Sequence, residues 1–161
     1  MMTIEEMPIL LRREVEARFI KPFLDAFAEE IGKERTYEIA GEVIDRIAFQ
    51  AGQERAAQIG KNQPKDVPEL LAMHSTEGGC DNHTREVDER HIFEETMDCE
   101  YARMYERLGM RELGYLLSCR RDFKFFEGVN QKMRLTRKHT IMQGGGSCDF
   151  LVELVGESEN E

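Results

Sequence analysis

The sequence predicts an α+β domain in which an N-terminal helical hairpin packs with further helices on a small antiparallel sheet. Three observations lead to this class. Apolar residues recur at helical spacing near the N-terminus, apolar and polar residues alternate near the C-terminus, and the predicted strands follow one another through turns rather than long crossovers. A chain of 161 residues with this pattern fits a single domain over residues 1–161.

The first two predicted elements are long helices, over Pro8 to Ile31 and Glu34 to Ile59. An apolar residue recurs at every fourth position of the first helix, namely at Val15, Phe19, Phe23 and Phe27. Pro22 lies inside this pattern and is expected to kink or split the helix. Gly32 and Gly60 are the predicted ends of the two helices. We expect the pair to form an antiparallel hairpin that packs against the rest of the domain.

A short helix and a strand are predicted in the middle of the chain. The helix covers Val67 to His74, with Asp66 as its N-cap. The turn-rich segment after it contains Cys80 and His83, which have the spacing of metal ligands but are expected to be exposed to solvent. A strand is predicted over Glu86 to Met97.

The C-terminal part is predicted to contain two helices and then two strands. The helices cover Glu100 to Leu108 and Glu112 to Arg121 or Phe126. The strands cover Lys132 to Met142 and Cys148 to Val155, and a turn at residues 144–146 is expected to join them into a hairpin.

Composition and charge exclude several classes of protein. The 22 basic and 32 acidic residues give a net charge of −10, which argues against a non-specific binder of nucleic acid or of anionic membranes. The sequence shows no apolar run near the roughly 20 residues of a membrane span and no signal peptide. We therefore expect a cytoplasmic protein whose four cysteines are free thiols rather than disulfides.

A cluster of chemically reactive residues is predicted on one face of the helix that begins at Glu112. At about 100° per residue, an arc of roughly 80° holds Glu112, Tyr115, Cys119 and Asp122. A thiol, two carboxylates and a phenol on one face indicate a chemical site. The alternative is a partly solvated face with one buried cysteine. Cys99 follows the N-cap candidate Asp98, so the partial positive charge of a helix N-terminus is expected to favour its thiolate.

These residues also carry a family resemblance. The first segment reads Cys99-x-Tyr101-Ala102-x-Met104-Tyr105-x-x-Leu108-Gly109-x-x-Glu112-Leu113-Gly114, followed by Cys119-x-x-Asp122. The second reads Leu135-Thr136-Arg137-x-x-Thr140-Ile141-Met142-x-Gly144-x-x-x-Cys148-Asp149-Phe150. With these spacings the chain resembles the L-2-amino-thiazoline-4-carboxylic acid hydrolase family. The motif-bearing region is 84–155. The N-terminal helices resemble those of the family only in being helices, without a matching motif.

The resemblance implies that water adds to the C=N carbon of a small cyclic isothiourea or amidine and opens its ring. Such a hydrolase needs a nucleophile, a proton donor and a group that holds the substrate carboxylate. The residues expected to be catalytic are two thiols and two acids, namely Cys119, Cys148, Glu112 and Asp122.

The remaining candidates are expected to bind the substrate. They are Cys99, Tyr115, Arg137, His139 and Gly144. Arg137, His139 or Arg134 can hold a carboxylate, an arginine doing so through two hydrogen bonds. The backbone N–H groups after Gly144 can face a developing negative charge, and the phenol of Tyr115 can donate a hydrogen bond.

Other interpretations of the same residues stay open. We predict a site without a cofactor, but Cys99, Cys119 and Cys148 with one acid would also suit Zn²⁺, and the cysteines can be purely structural. The function can be hydrolysis of a small molecule, or binding of a small molecule by a sensor domain without turnover. A domain this small with two long amphipathic helices is also expected to form a homo-oligomer.

Overall fold

The computed structural model describes residues 6–72 and 79–156, which form helices on an antiparallel sheet and confirm the predicted α+β class. The α-helices are α1 Ile9–Ile31, α2 Lys33–Ile59, α3 Val67–Leu70, α4 Glu100–Arg107, α5 Arg111–Gly114 and α6 Arg121–Val129. The strands are β1 Cys80–Val87, β2 His91–Cys99, β3 Met133–Thr136 and β4 Cys148–Leu154. Residues 73 and 74, the last of the predicted short helix, lie outside the described residues.

The four strands lie in the order β1-β2-β4-β3, and every neighbouring pair is antiparallel. The register pairs Cys80 with Cys99 and Thr96 with Cys148, so β2 lies between the two strands that carry Cys80 and Cys148. This placement brings sulfur-bearing residues from three neighbouring strands to one end of the sheet.

Strand β1 differs from the prediction. Residues from Cys80 onward were expected to form an exposed turn, but they form an edge strand, and Cys80 is partly buried. Because the residues between Cys80 and Val87 are all polar, the strand lacks the apolar alternation by which strands are recognised. His83 is exposed as expected and pairs with Asp81.

The hairpin of β3 and β4 is confirmed, but β3 is shorter than predicted. It ends at Thr136 rather than Met142, because the Asp149 carboxylate accepts hydrogen bonds from the backbone N–H groups of Lys138 and His139. A 3₁₀ turn at Ile141–Gln143 follows, and Gly144 ends it with a φ of 93°.

Helix α1 runs unbroken through Pro22, but its predicted apolar face is largely exposed. Its buried residues are Ile9, Ala17 and Leu24, whereas the residues at every fourth position face solvent. A step of four residues advances about 40° around a helix, so such a row turns away from the core. None of the described helices is long and apolar enough to cross a membrane.

Helix α6 is held close to α2 by two glycines. A Cβ atom at Gly52 would lie 2.1 Å from the backbone oxygen of Phe125, and one at Gly128 would lie 2.0 Å from that of Phe49. The missing side chains therefore let the two helices touch through their backbones, and this contact fixes the start of α6 beside the sheet.

Candidate functional site

A cavity of about 590 Å³ lies between the helices and the sheet. Its walls come from α1, α2, α6 and the strands β1, β2 and β4. All four cysteines line it, namely Cys80, Cys99, Cys119 and Cys148. We call this space the thiol cavity. The sequence predicted that the sulfurs of Cys99, Cys119 and Cys148 lie near one another, and the structure adds Cys80 to this group.

A single π-helical turn over Tyr115–Cys119 explains why two predicted residues are elsewhere. The backbone N–H of Arg120 donates to the carbonyl of Tyr115 at 2.9 Å, so this turn holds one residue more than an α-helical turn. The extra residue shifts the helical phase between Glu112 and Cys119. The prediction that Glu112, Tyr115, Cys119 and Asp122 share one face is therefore wrong.

Glu112 and Tyr115 line a separate, open groove on the surface, which also includes Gly144. The exposed carboxylate of Glu112 accepts a hydrogen bond from Lys33 Nζ at 2.6 Å. Neither Glu112 nor Tyr115 nor Gly144 lines the thiol cavity, so the predicted roles of these residues have no support from their positions.

His139 also lies outside the thiol cavity. Its Nδ1 is 3.3 Å from the Asp149 carboxylate and its Nε2 is 3.2 Å from Ser147 Oγ. Arg134 is likewise placed elsewhere, where its Nη1 donates to the backbone carbonyls of Gln131 and Met133. Both side chains are therefore bound to neighbouring residues rather than facing the cavity.

Cys99 is the thiol best placed to ionise. It is the N-cap residue of α4 and lies directly opposite Cys80 in the sheet, with 3.9 Å between the two sulfurs. The hydrogen bond from the Cys80 thiol lowers the pKa of Cys99 to about 7, and the backbone N–H groups of Ala102 and Tyr101 contribute to the shift. Burial opposes this lowering but does not cancel it.

The other three thiols are shifted in the opposite direction. Burial raises the pKa of Cys119, and the nearby Asp122 carboxylate adds to the effect. Burial also raises the pKa of Cys148, although the backbone N–H of Ile141 donates to its sulfur at 3.2 Å. The hydrogen bond to Cys99 and burial together raise the pKa of Cys80. These shifts favour Cys99 as the nucleophile over Cys119 and Cys148.

Asp122 and Arg137 form a buried ion pair in the wall of the cavity. Arg137 Nη1 donates to Asp122 at 2.7 Å and its Nη2 donates to the Cys119 carbonyl at 2.5 Å. Its guanidinium lies between the rings of Phe123 and Phe150, 5.0 and 4.9 Å from their centroids. Burial raises the pKa of Asp122 even though Arg137 opposes the shift, so Asp122 keeps its proton to a higher pH.

Four further arginines of the cavity were not predicted from the sequence. Besides Arg137, the lining includes Arg12, Arg13, Arg55 and Arg121, whereas its acidic residues in the described part of the chain are Glu54 and Asp122. Burial lowers the pKa of Arg121 to about 10, and the neighbouring Arg13 adds to the shift. Arg12 Nε is buried without a hydrogen-bond partner among residues 6–72 and 79–156. The sequence feature that could have indicated these arginines is the Arg-Arg pair, which occurs at 12–13 and at 120–121, each time in a helical segment of an acidic chain.

The described residues contain no group of three or more His, Cys, Asp or Glu side chains that could hold a metal ion. Four thiols line one cavity without converging on a shared point. The zinc alternative therefore gains no support from this geometry, and a site without a cofactor stays a prediction.

The fold and the cavity define a class of small α+β domain with a ligand-sized space between its helices and one face of its sheet. Solved structures that share this fold include the following two. The phenol-responsive sensory domain of the transcription activator PoxR, solved with phenol, matches with a TM-score of 0.57 at 11% identity over 91% of this chain and 76% of that chain. A trafficking protein particle complex subunit 3 from Naegleria fowleri, covalently bound to palmitic acid, matches with a TM-score of 0.56 at 10% identity, covering 93% of this chain and 99% of that chain.

At such identities the two structures establish a common fold and nothing further. The chain belongs to the L-2-amino-thiazoline-4-carboxylic acid hydrolase family, whose sequence profile matches residues 12–152. No match was found among curated proteins. The family is therefore the one the motif spacing indicated, and the match extends over most of both N-terminal helices.

Proposed function

We propose that the protein is a cytoplasmic hydrolase that opens a small anionic cyclic amidine, of the 2-amino-thiazoline-4-carboxylate type, in the thiol cavity. Membership of a family named for a hydrolase supports the reaction class. The observation that carries the proposal is that Cys99, with its lowered pKa, shares one cavity with Asp122 and a set of arginines.

The arginines define the kind of substrate. Arg12, Arg13 and Arg121 face a partly enclosed space in which opposite charges attract more strongly than in bulk water. A planar carboxylate matches the two-pronged donor geometry of a guanidinium. The volume of about 590 Å³ lies within the range of small-molecule sites and leaves room for a ring compound and a water molecule.

Cys99 and Asp122 supply the chemistry. The Cys99 thiolate adds to the carbon of the protonated amidine, and the electron pair of the C=N bond moves to the ring nitrogen, while the Asp122 carboxylate balances the positive charge of the bound amidine. The tetrahedral adduct then expels the ring sulfur. Water, deprotonated by Asp122, attacks the remaining adduct and releases Cys99, so the product is the substrate plus one water with its ring opened.

Turnover of 2-amino-thiazoline-4-carboxylate tests this proposal. Purified protein is expected to convert it to a product heavier by one water, measured by mass spectrometry. Cys99→Ser should lower the rate by about 100-fold or more, because an alcohol is a far weaker nucleophile near neutral pH. Glu112→Gln, outside the cavity, is the matched control and should keep the normal rate. Undiminished turnover by Cys99→Ser would contradict the assignment.

A second candidate function is small-molecule binding without turnover. The two structures of like fold support it, since one is a sensory domain that holds phenol and the other carries palmitic acid. The same incubation separates the candidates. A ligand that raises the melting temperature but yields no ring-opened product would favour the binding function.

We also propose that the protein forms a homo-oligomer through the exposed apolar residues of α1 and α2. Six of them lie on α1, at Leu11, Val15, Phe19, Phe23, Phe27 and Ile31, and three on α2, at Ile39, Val43 and Ile47. We call this set the apolar face. Soluble monomers seldom expose this many large apolar side chains, and a second copy of the chain offers apolar side chains of the same kind to cover them.

A further inference from the structure

The thiol cavity contains a pair of cysteines suited to reversible oxidation. We propose that Cys80 and Cys99 are a redox modification site, at which a hydroperoxide oxidises Cys99 and Cys80 then closes a disulfide with it. The pairing does not depend on the proposed hydrolase function. One consequence does rest on that function, namely that oxidation would switch the hydrolase off.

The position of the two residues in the sheet carries the geometric argument. Cys80 and Cys99 are directly opposed in the antiparallel register of β1 and β2. Opposed residues have Cα atoms about 4.5–5.5 Å apart and side chains on the same face, which fits the Cα separation of roughly 4.4–6.8 Å found in disulfides. The sulfurs are 3.9 Å apart and would approach to about 2.05 Å by side-chain rotation.

The two thiols have complementary roles in the reaction. Cys99 is the N-cap of α4 and accepts the hydrogen bond of Cys80, so it is the sulfur that ionises more readily. Cys80 keeps its proton beside it and supplies the second sulfur. An attacking thiolate with an adjacent resolving cysteine is the arrangement that makes oxidation selective for one site.

The chemical steps balance without a metal or a cofactor. The Cys99 thiolate attacks one oxygen of the hydroperoxide, the O–O bond breaks, and Cys99 becomes a sulfenic acid while the other oxygen leaves as an alkoxide or hydroxide. Cys80, losing its proton, then attacks the sulfenic sulfur and water leaves. Arg12 also lines this cavity, and its buried Nε has no hydrogen-bond partner among the described residues.

Peptide mapping after mild oxidation tests the pairing. Native protein is treated with about one equivalent of hydrogen peroxide, free thiols are alkylated, and the chain is cleaved after Arg85 and Arg90, which separates Cys80 from Cys99. We expect a cross-linked peptide pair that joins Cys80 to Cys99 and is released by dithiothreitol. Failure to form this pair, or a dominant link to Cys119 or Cys148, would overturn the proposal.

Two variants sharpen the test. In Cys80→Ser, Cys99 should stop at the sulfenic acid, which dimedone traps at that residue and which gives no cross-link. The double variant C119S/C148S should still form the Cys80–Cys99 link. Lack of dimedone labelling at Cys99 in Cys80→Ser would also count against the proposal.

Mass mapping and turnover separate this inference from the proposed function. If the cross-link forms but neither the reduced nor the oxidised protein hydrolyses the cyclic amidine, the redox site stands and the hydrolase proposal fails. If the reduced protein is active and peroxide forms no cross-link, the hydrolase proposal stands and the redox site fails.

Discussion

The lowered pKa of Cys99 has two sources, the Cys80 thiol and the first backbone N–H groups of α4. Cys80 donates from the adjacent strand, and the first backbone N–H groups of α4 face the same sulfur. The sequence predicted where this helix begins but placed its N-cap at Asp98, one residue before the observed N-cap Cys99. It was not sufficient to predict Cys80, because strand register depends on pairing between segments and the polar β1 gave no sign of being a strand.

The lowered pKa of Cys99 predicts a distinctive pH profile for its alkylation. Iodoacetamide reacts with thiolates, so a lowered pKa means more reactive sulfur at a given pH. The alkylation rate at Cys99 should rise through an inflection near pH 7, whereas an ordinary thiol has its inflection at about pH 8.5. The other three cysteines should react only at still higher pH. Peptide-resolved mass spectrometry measures each rate.

Removal of the Cys80 thiol provides the control for this profile. Since the hydrogen bond from Cys80 is the largest cause of the shift, Cys80→Ala should move the inflection of Cys99 to higher pH. If Cys99 in the unaltered protein has its inflection at or above the pH of an ordinary thiol, the two sulfurs do not interact as described.

The π turn explains why Glu112 and Tyr115, two of the nine predicted site residues, lie outside the thiol cavity. Cys119 ends the turn and Asp122 comes after it, and both line the thiol cavity. Glu112 comes before the turn and Tyr115 begins it, and both line the surface groove. A uniform step of about 100° per residue cannot represent such a turn, and nothing in the local sequence identifies it. Five site residues were predicted independently of helical phase. Cys99, Arg137 and Cys148 line the cavity, whereas His139 and Gly144 do not.

The close crossing of α2 and α6 predicts an unusual result for a glycine substitution. Gly52→Ala would place a Cβ atom 2.1 Å from the backbone oxygen of Phe125. Alanine favours helices over glycine by up to about 1 kcal/mol, but forcing two backbones apart costs roughly 1–3 kcal/mol. We therefore expect the free energy of unfolding in urea to fall.

Gly146→Ala is the matched control for this substitution. A Cβ atom there has no neighbour within 4 Å among the described residues, and the backbone is outside the left-handed region. Its stability should change little. A Gly52→Ala protein as stable as the parent would mean that the helices do not approach each other so closely.

The whole molecule combines an acidic surface with a basic interior cavity. The net charge is −10, yet arginine outnumbers acid in the described lining of the thiol cavity. The spacing of apolar residues predicted the α+β class correctly, but net charge says nothing about where single charges lie. The arginines at positions 12, 13 and 121 were hidden among residues assigned to ordinary helical surfaces.

The apolar face predicts self-association. Phe19 is 69% exposed, and Phe23 and Phe27 follow it on the same helix. We expect light scattering after gel filtration to give a mass of at least two copies, and F23S/F27S to give one copy with an unchanged circular dichroism spectrum. Gln131→Ser, exposed outside the apolar face, should leave the mass unaltered. A monomeric parent protein would contradict this expectation.

We propose that Cys99 is a thiolate in a cavity that attracts anions. Competition between two alkylating reagents measures both properties in one experiment. Iodoacetate carries a negative charge and iodoacetamide none, so the ratio of their rates at one sulfur, compared with free cysteine, reports the local charge. We predict that Cys99 is alkylated first, that its ratio exceeds that of free cysteine, and that Arg121→Gln lowers the ratio. First reaction at another cysteine, or a ratio no higher than that of free cysteine, would contradict the account.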